Sequence, residues 1–161
     1  KVMGSEHNIT ASKHQKNLYI FHFARENMVR QLGTLGVISK KSLVVRFPDV
    51  PEDYLPNFIR GVFDGDGSVF FEKRSRLFPL RTNFVSGSKD FMDGLEKSLE
   101  SLGMPARTRY RQKTKNAWSY KFVYSHRDSI KLFNILYKND QNGLFLERKY
   151  RRFLEGIQGL T

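Results

Sequence analysis

The sequence predicts an α+β fold in which amphipathic helices alternate with antiparallel strands, and three observations predict it. Apolar residues switch between the two-residue period of strands and the three-to-four spacing of helices along the 161 residues. Aromatic residues make up 14% of the chain, with 14 Phe and 7 Tyr, which supplies a core that a disordered basic tail lacks. A stretch near the N-terminus also recurs 99 residues later with both periods kept.

That recurrence sets the organisation. Placing Gly4 on Gly103 brings Lys16-Asn17 onto Lys115-Asn116, Tyr19 onto Trp118, Phe21 onto Tyr120 and Phe23 onto Phe122 without a gap. With two residues inserted, Val29, Leu32 and Leu35 fall near Ile130, Phe133 and Leu136. Each copy reads as a polar extended strand, a turn, an aromatic strand and an amphipathic helix. Residues 51–102 place helix, strand, strand, helix before the second copy, and nothing equivalent stands before Gly4. Residues 1–50 are therefore expected to be the rear ββα half of a repeat, and 51–161 a complete repeat. Pro48-Asp49-Val50-Pro51 is a hinge too short to be a free linker. The opening Lys1-Val2-Met3-Gly4 leads us to expect a processed start or a longer parent chain.

The complete copy can be followed element by element. Pro51-Glu52-Asp53 opens a helix with acids in its first turn, running to about Phe63. Val69–Lys73 and Leu80–Val85 alternate as two strands. Ser88 suits an N-cap for a helix burying Phe91, Leu95, Leu99 and Leu102, and Gly103 sits where a terminating glycine belongs. Strands follow near 106–113 and 118–125, then helices near 127–137 and 145–156. The order is αββαββα.

Charge and composition narrow the function. With 28 Lys+Arg against 16 Asp+Glu, the net charge is +12, the balance of a chain that meets polyphosphate or an anionic surface. The absence of cysteine excludes a disulfide scaffold, a zinc finger and a thiol enzyme. No apolar run approaches the roughly 18 residues of a membrane span, and no signal peptide is visible. The expectation is an intracellular protein of cytoplasm, nucleoid or organelle, without a membrane partner.

The most specific segment is Ile59-Arg60-Gly61-Val62-Phe63-Asp64-Gly65-Asp66-Gly67-Ser68. Asp64 and Asp66 flank a glycine at a helix end, where unsatisfied carbonyls also point outward. Carboxylate and carbonyl oxygens together suit Mg²⁺. A calcium loop of the EF-hand type fails, because its sixth position is Val69 and its twelfth Ser75. A helix-ending turn with solvated aspartates remains the alternative.

Arg107, Arg109, Arg111, Lys113 and Lys115 recur every second residue, which places five cations on one face of a strand. Residues 106–127 hold seven Lys/Arg, Lys121 among them, and no Asp/Glu, so no neutralisation is expected within that stretch. The repeat assigns Asn8, Thr10, Ser12, His14 and Lys16 to the matching positions, and Arg74, Arg76, Arg81 and Asn83 extend the surface. A basic β-ribbon fits the DNA major groove, where Arg pairs with guanine. A charged edge strand that resists aggregation is the alternative. Tyr19, Phe21, Phe23, Trp118, Tyr120 and Phe122 read as core beneath the sheet, with RNA stacking the less favoured use.

Ile59 to Gly67 resembles the nine-residue signature of the LAGLIDADG homing endonucleases in hydrophobic, small and acidic character, and the αββαββα order matches that family's repeat. The resemblance implies a curved antiparallel sheet facing DNA with helices packed behind. It implies that Asp66 is the catalytic metal ligand, with the Gly65 carbonyl beside it and Asp64 closer to a structural cap. Lys149, and Lys41 in the first copy, match the basic residue the family places by the scissile phosphate. Two motif helices would pair through residues 54–65, with Leu55, Phe58, Gly61, Val62 and Gly65 between them. The implied cofactor is Mg²⁺, with Mn²⁺ able to substitute and Ca²⁺ supporting binding without cleavage.

The implied activity is sequence-specific hydrolysis of double-stranded DNA at a long site, in an intron- or intein-associated setting. One chain supplies one acidic motif where duplex cleavage needs two. A homodimer, or pairing with a missing N-terminal half-repeat, would complete the site. The alternatives are a non-catalytic nucleic-acid binder on the same scaffold, such as an intron RNA maturase or transcription regulator, and an inactive fragment.

Overall fold

A computed structural model describes residues 8–14, 16, 18–21, 25–34, 36, 43–72, 79–113, 118–138 and 143–158. Lys41, Arg74, Arg76 and Lys115 lie outside the described residues, as do Phe23 and Leu35 of the repeat. The chain divides into two compact units, residues 1–37 and 38–161.

In the first unit, β1 (Ile9–Ala11) pairs antiparallel with β2 (Tyr19–Phe21), Thr10 opposite Ile20, and α1 (Glu26–Thr34) follows. Strands of three residues and a nine-residue helix have little apolar surface to enclose. No described residue of α1 is buried, and Ile9, Tyr19 and Val29 are 68%, 71% and 68% exposed.

The second unit opens with a 3₁₀ turn (Glu52–Tyr54) and continues through α2 (Leu55–Asp66), β3 (Ser68–Phe71), β4 (Leu80–Ser86), α3 (Lys89–Ser101), β5 (Tyr110–Lys113), β6 (Trp118–Tyr124), α4 (His126–Tyr137) and α5 (Glu147–Gln158). The α+β class and the αββαββα order are present, with α5 as the second of the two closing helices. Helix α2 begins later than expected and ends a turn later. Pro56 falls in its first turn, where a missing N–H costs nothing, and the Gly67 N–H closes on the Phe63 carbonyl at 2.8 Å. The acidic motif therefore lies inside the last helical turn.

Ser88 caps α3 as its side chain predicts. Its Oγ accepts from the Phe91 N–H at 3.3 Å and donates to the Val45 carbonyl at 2.5 Å. Gly103 takes φ +83°, the left-handed conformation that ends the helix at low cost.

Strands β3, β4, β6 and β5 form one antiparallel sheet in that order. Thr82 stands opposite Tyr124, Phe84 opposite Phe122, and Leu80 opposite Phe71, so one set of alternate residues shares a face. The four helices pack on that face. Phe63 meets Phe84 at 5.2 Å and Phe153 at 5.6 Å between ring centroids, and Phe84 meets Phe122 at 5.3 Å. Each fully buried ring contributes about 1.5–3 kcal/mol relative to exposure. Helix α5 comes close to the sheet at Gly156, where an added Cβ would stand 2.7 Å from Leu80 Cδ1.

Among the described residues of this unit, the opposite face carries none of these four helices. Phe70, Arg81, Val85, Tyr110, Gln112, Ser119, Lys121 and Val123 line a cleft of about 680 Å³ across it. Among the described residues, no helix is long and apolar enough to cross a membrane.

Candidate active site and nucleic-acid interface

Helix α2 delivers its two acids to different surroundings. Asp64 turns inward, where Oδ2 accepts the Leu146 N–H at 2.9 Å and Oδ1 accepts the Tyr137 hydroxyl at 3.2 Å. It thereby ties the end of α2 to the N-terminus of α5 and the C-terminus of α4. Burial and the neighbouring Asp64 carboxylate push the Tyr137 hydroxyl well above the usual tyrosine range, so it stays a donor. Asp66, two residues on, is exposed.

Lys149 lies beneath the same helix end and is 4% exposed. Its Nζ donates to the carbonyls of Phe63 at 2.6 Å, Asp64 at 2.8 Å and Gly67 at 2.5 Å. Three carbonyls take all three ammonium donors, and the helix C-terminus is also where a cation is electrostatically favoured. Desolvation, with Arg148 beside it, lowers the pKa of this amine. Lys149 lines the cleft, and its hydrogen bonds go to backbone carbonyls.

The exposed cations of the cleft come from residues the sequence reading passed over. A cavity of about 550 Å³ is lined by Gly65, Asp66 and Ser68 on one side and Arg148, Lys149 and Arg152 on the other. The Arg152 guanidinium lies 4.4 Å over the Phe71 ring and 3.0 Å from Glu155. Arg148 and Arg152 are one helical turn apart, so their common face was visible as an i,i+4 pair.

The donors left at the end of α2 are the Asp66 carboxylate and the carbonyl of Gly65, in the last turn where helical N–H partners run out. Hard oxygens of this kind fit a magnesium ion that keeps several waters. Among the described residues, no group of three or more His, Cys, Asp or Glu converges.

The outer face of α2 is smooth. Gly61 and Gly65 are exposed, and a Cβ at either would meet nothing within 4 Å. Val62 and Phe58 are half-buried, and Phe58 packs edge-on against Phe47 at 5.3 Å. Leu55 does not belong with them. It is 6% exposed and shares the i, i+4, i+8 stripe of Ile59 and Phe63 that enters the core.

The basic stripe also needs correction. In the β5–β6 ladder Arg111 stands opposite Tyr120 and Lys113 opposite Trp118. Those β6 positions share parity with Phe122 and Tyr124, so Arg111 and Lys113 are on the helix side of the sheet. Arg107 and Arg109 precede β5, which begins only at Tyr110. Arg107 pairs with Asp128 of α4, and Arg109 with Asp93 and Glu96 of α3. The neutralising acids come from helices distant in sequence, which is why residues 106–127 looked unpaired. Arg111 stacks over Trp118 at 4.0 Å.

The open face holds a different set. Arg81 and Lys121 are on it, so the surface the sequence joined to the 107–115 stripe is divided between the two faces of the sheet. Tyr110, Gln112 and Ser119 join them and were missed, because the arginines drew attention to the other parity. Asn83 takes the same parity but is 8% exposed, and its Oδ1 has no partner among the described residues. In the first unit Asn8, Thr10, His14 and Lys16 are exposed and Ser12 half-buried. Thr10 Oγ1 donates to the Ile20 carbonyl at 3.3 Å, and Ser12 Oγ accepts the His14 N–H at 3.2 Å.

No curated protein matches the chain. A family model described as a LAGLIDADG-like domain matches residues 53–158, from the turn before α2 to the end of α5. The motif helix, the four-stranded sheet and the matched span together place the chain in the LAGLIDADG homing-endonuclease family, a family of nucleases and DNA-binding proteins.

Proposed function

We propose that this chain is a sequence-specific endonuclease of double-stranded DNA that works as a homodimer, with Asp66 of each copy holding one Mg²⁺ ion. The observation that carries the reading is the contrast between the two acids of the motif. Asp64 is occupied within the fold, whereas Asp66 is exposed in a cleft with Arg148 and Arg152. A carboxylate with no structural partner, facing cations, suits an ion shared with a phosphodiester.

A bound divalent ion would supply an activated water or a polarised phosphate oxygen. The chain's own groups do the rest. Arg148 and Arg152 place positive charge where the phosphate would gain negative charge, and Lys149 holds the helix end that carries Asp66. The open sheet face, with Arg81, Lys121, Tyr110, Gln112 and Ser119, would lie on the major groove. Gly61 and Gly65 would allow two α2 helices to approach closely, bringing two Asp66 carboxylates together. The ββα order of the first unit is consistent with a truncated repeat.

The test is cleavage of a duplex selected from a randomised library in Ca²⁺ and then transferred to Mg²⁺. Wild type is expected to cut both strands, and Asp66→Asn to bind with equal or higher affinity without nicking. Nicking by Asp66→Asn at the wild-type rate would remove the assignment. The non-catalytic binder is the second reading, favoured by the single acidic motif in this sequence, and it predicts selection of a site with no cleavage in any divalent ion.

A further inference from the structure

Among the described residues, the cleft on the open face of the sheet is lined by one acid, Glu72, beside its cations. Glu72 follows β3, and Arg81 lies on β4 opposite Phe70. Arg81 donates Nε–H and Nη2–H to the same Glu72 oxygen, Oε2, at 2.9 and 2.6 Å. The two side chains are about a third exposed, at 31% and 39%, and both line the cleft across that face. A lone carboxylate where a polyanion is to lie is unfavourable, unless it does something for the arginine.

We propose that Arg81 and Glu72 form a base-reading pair for a guanine of a G·C base pair, in which Arg81 makes the contact and Glu72 positions it. The inference rests on the reading that duplex DNA lies on this face.

The geometry of the guanidinium supports it. Glu72 engages the edge formed by Nε and Nη2. The end-on edge, with one N–H from each Nη nitrogen, takes no partner among the described residues. Two parallel donors on a fixed plane match the O6 and N7 acceptors of guanine in the major groove. A phosphate also accepts such a pair, but the Glu72 charge beside it repels a phosphate and leaves a neutral base edge tolerated. Both Arg81 bonds go to Oε2, and the second Glu72 oxygen, Oε1, takes no partner among the described residues, which suits the N4 amino group of the paired cytosine. Holding the arginine before binding also lowers the ordering cost of the contact.

The test compares duplexes selected from a randomised library by wild type, Glu72→Gln and Arg81→Ala, followed by affinity for the selected and a scrambled duplex over a salt series. Wild type is expected to fix a G·C pair at one position. Glu72→Gln should lose roughly tenfold or more of the discrimination at that position alone, and should bind scrambled duplex more tightly. Arg81→Ala should lose the preference at the same position and leave the others intact. The proposal is overturned if both variants select the wild-type base at every position, or if Arg81→Ala weakens all duplexes equally with its preferences unchanged. Wild type selecting no duplex would overturn the DNA reading itself, which separates that failure from failure of the pair.

Discussion

The Lys149 ammonium donates to the Phe63 carbonyl at 2.6 Å, from beneath the helix that carries the acidic motif. Two further carbonyls of the same helix end, those of Asp64 and Gly67, complete its hydrogen bonds. The lysine therefore defines where α2 stops and which side of its last turn stays open.

Lys149→Met should remove that definition. It leaves buried carbonyls without a donor, and the expected loss is about 2–4 kcal/mol of folding free energy. Denaturant unfolding monitored at Trp118 would measure it. Arg148→Ala, at an exposed position in the same cleft, should leave the unfolding midpoint unchanged while reducing cleavage. Equal stability of Lys149→Met and wild type would show the three bonds to contribute nothing net.

The two aspartates should separate in the same way. Asp64→Asn weakens the bonds from the Leu146 N–H and the Tyr137 hydroxyl and should cost about 1–2 kcal/mol. Asp66→Asn should change stability by less than about 0.5 kcal/mol, as surface substitutions do. Matching thermal shifts for both variants would contradict the division of roles.

The arginines divide by face. Arg109→Ala leaves Asp93 and Glu96 without their shared partner, so stability should fall while the salt dependence of DNA binding stays as it was. Lys121→Ala, on the open face, should do the opposite. It should flatten the salt slope by about 0.9 for one lost phosphate contact. A slope unchanged in Lys121→Ala and flattened in Arg109→Ala would move the interface to the other side of the sheet.

Asp93 also gives a pH dependence. Hydrogen bonds from Lys89 and Arg109 hold its carboxyl below the usual carboxylate range. A lowered folded-state pKa stabilises at pH above the unfolded value of about 3.9, and that contribution disappears as pH falls through the folded value. Asp93→Asn should therefore lower stability at pH 7 and make little difference in strong acid. Unfolding midpoints at pH 7 and below pH 3 would test the sign.

How far these features were legible depends on the range over which each is determined. Ser88, Gly103 and the acidic motif are local signals, and each took its expected place at a helix end. The split between Asp64 and Asp66 was legible through the family resemblance, although the Leu146 N–H that fixes it comes from 82 residues away. The basic stripe misled because its period is local and its face is not. Arg111 faces the helices because it pairs with Tyr120, and that register is set across a turn and against a core. Arg107 and Arg109 found acids on α3 and α4 that no window along the strand contains. Leu55, expected between paired helices, is different: its i, i+4, i+8 phase with Ile59 and Phe63 is a local signal that already pointed to the core.

In the proposed dimer two copies of this chain pair through α2, and their two Asp66 carboxylates meet. The most direct measurement is solution mass by light scattering over a concentration series, for wild type and for Gly61→Phe, whose ring would stand on the open face of α2. A mass near twice 18.9 kDa is expected for wild type and a monomer for Gly61→Phe. A wild-type monomer at every concentration, or a dimer that Gly61→Phe leaves intact, would contradict it.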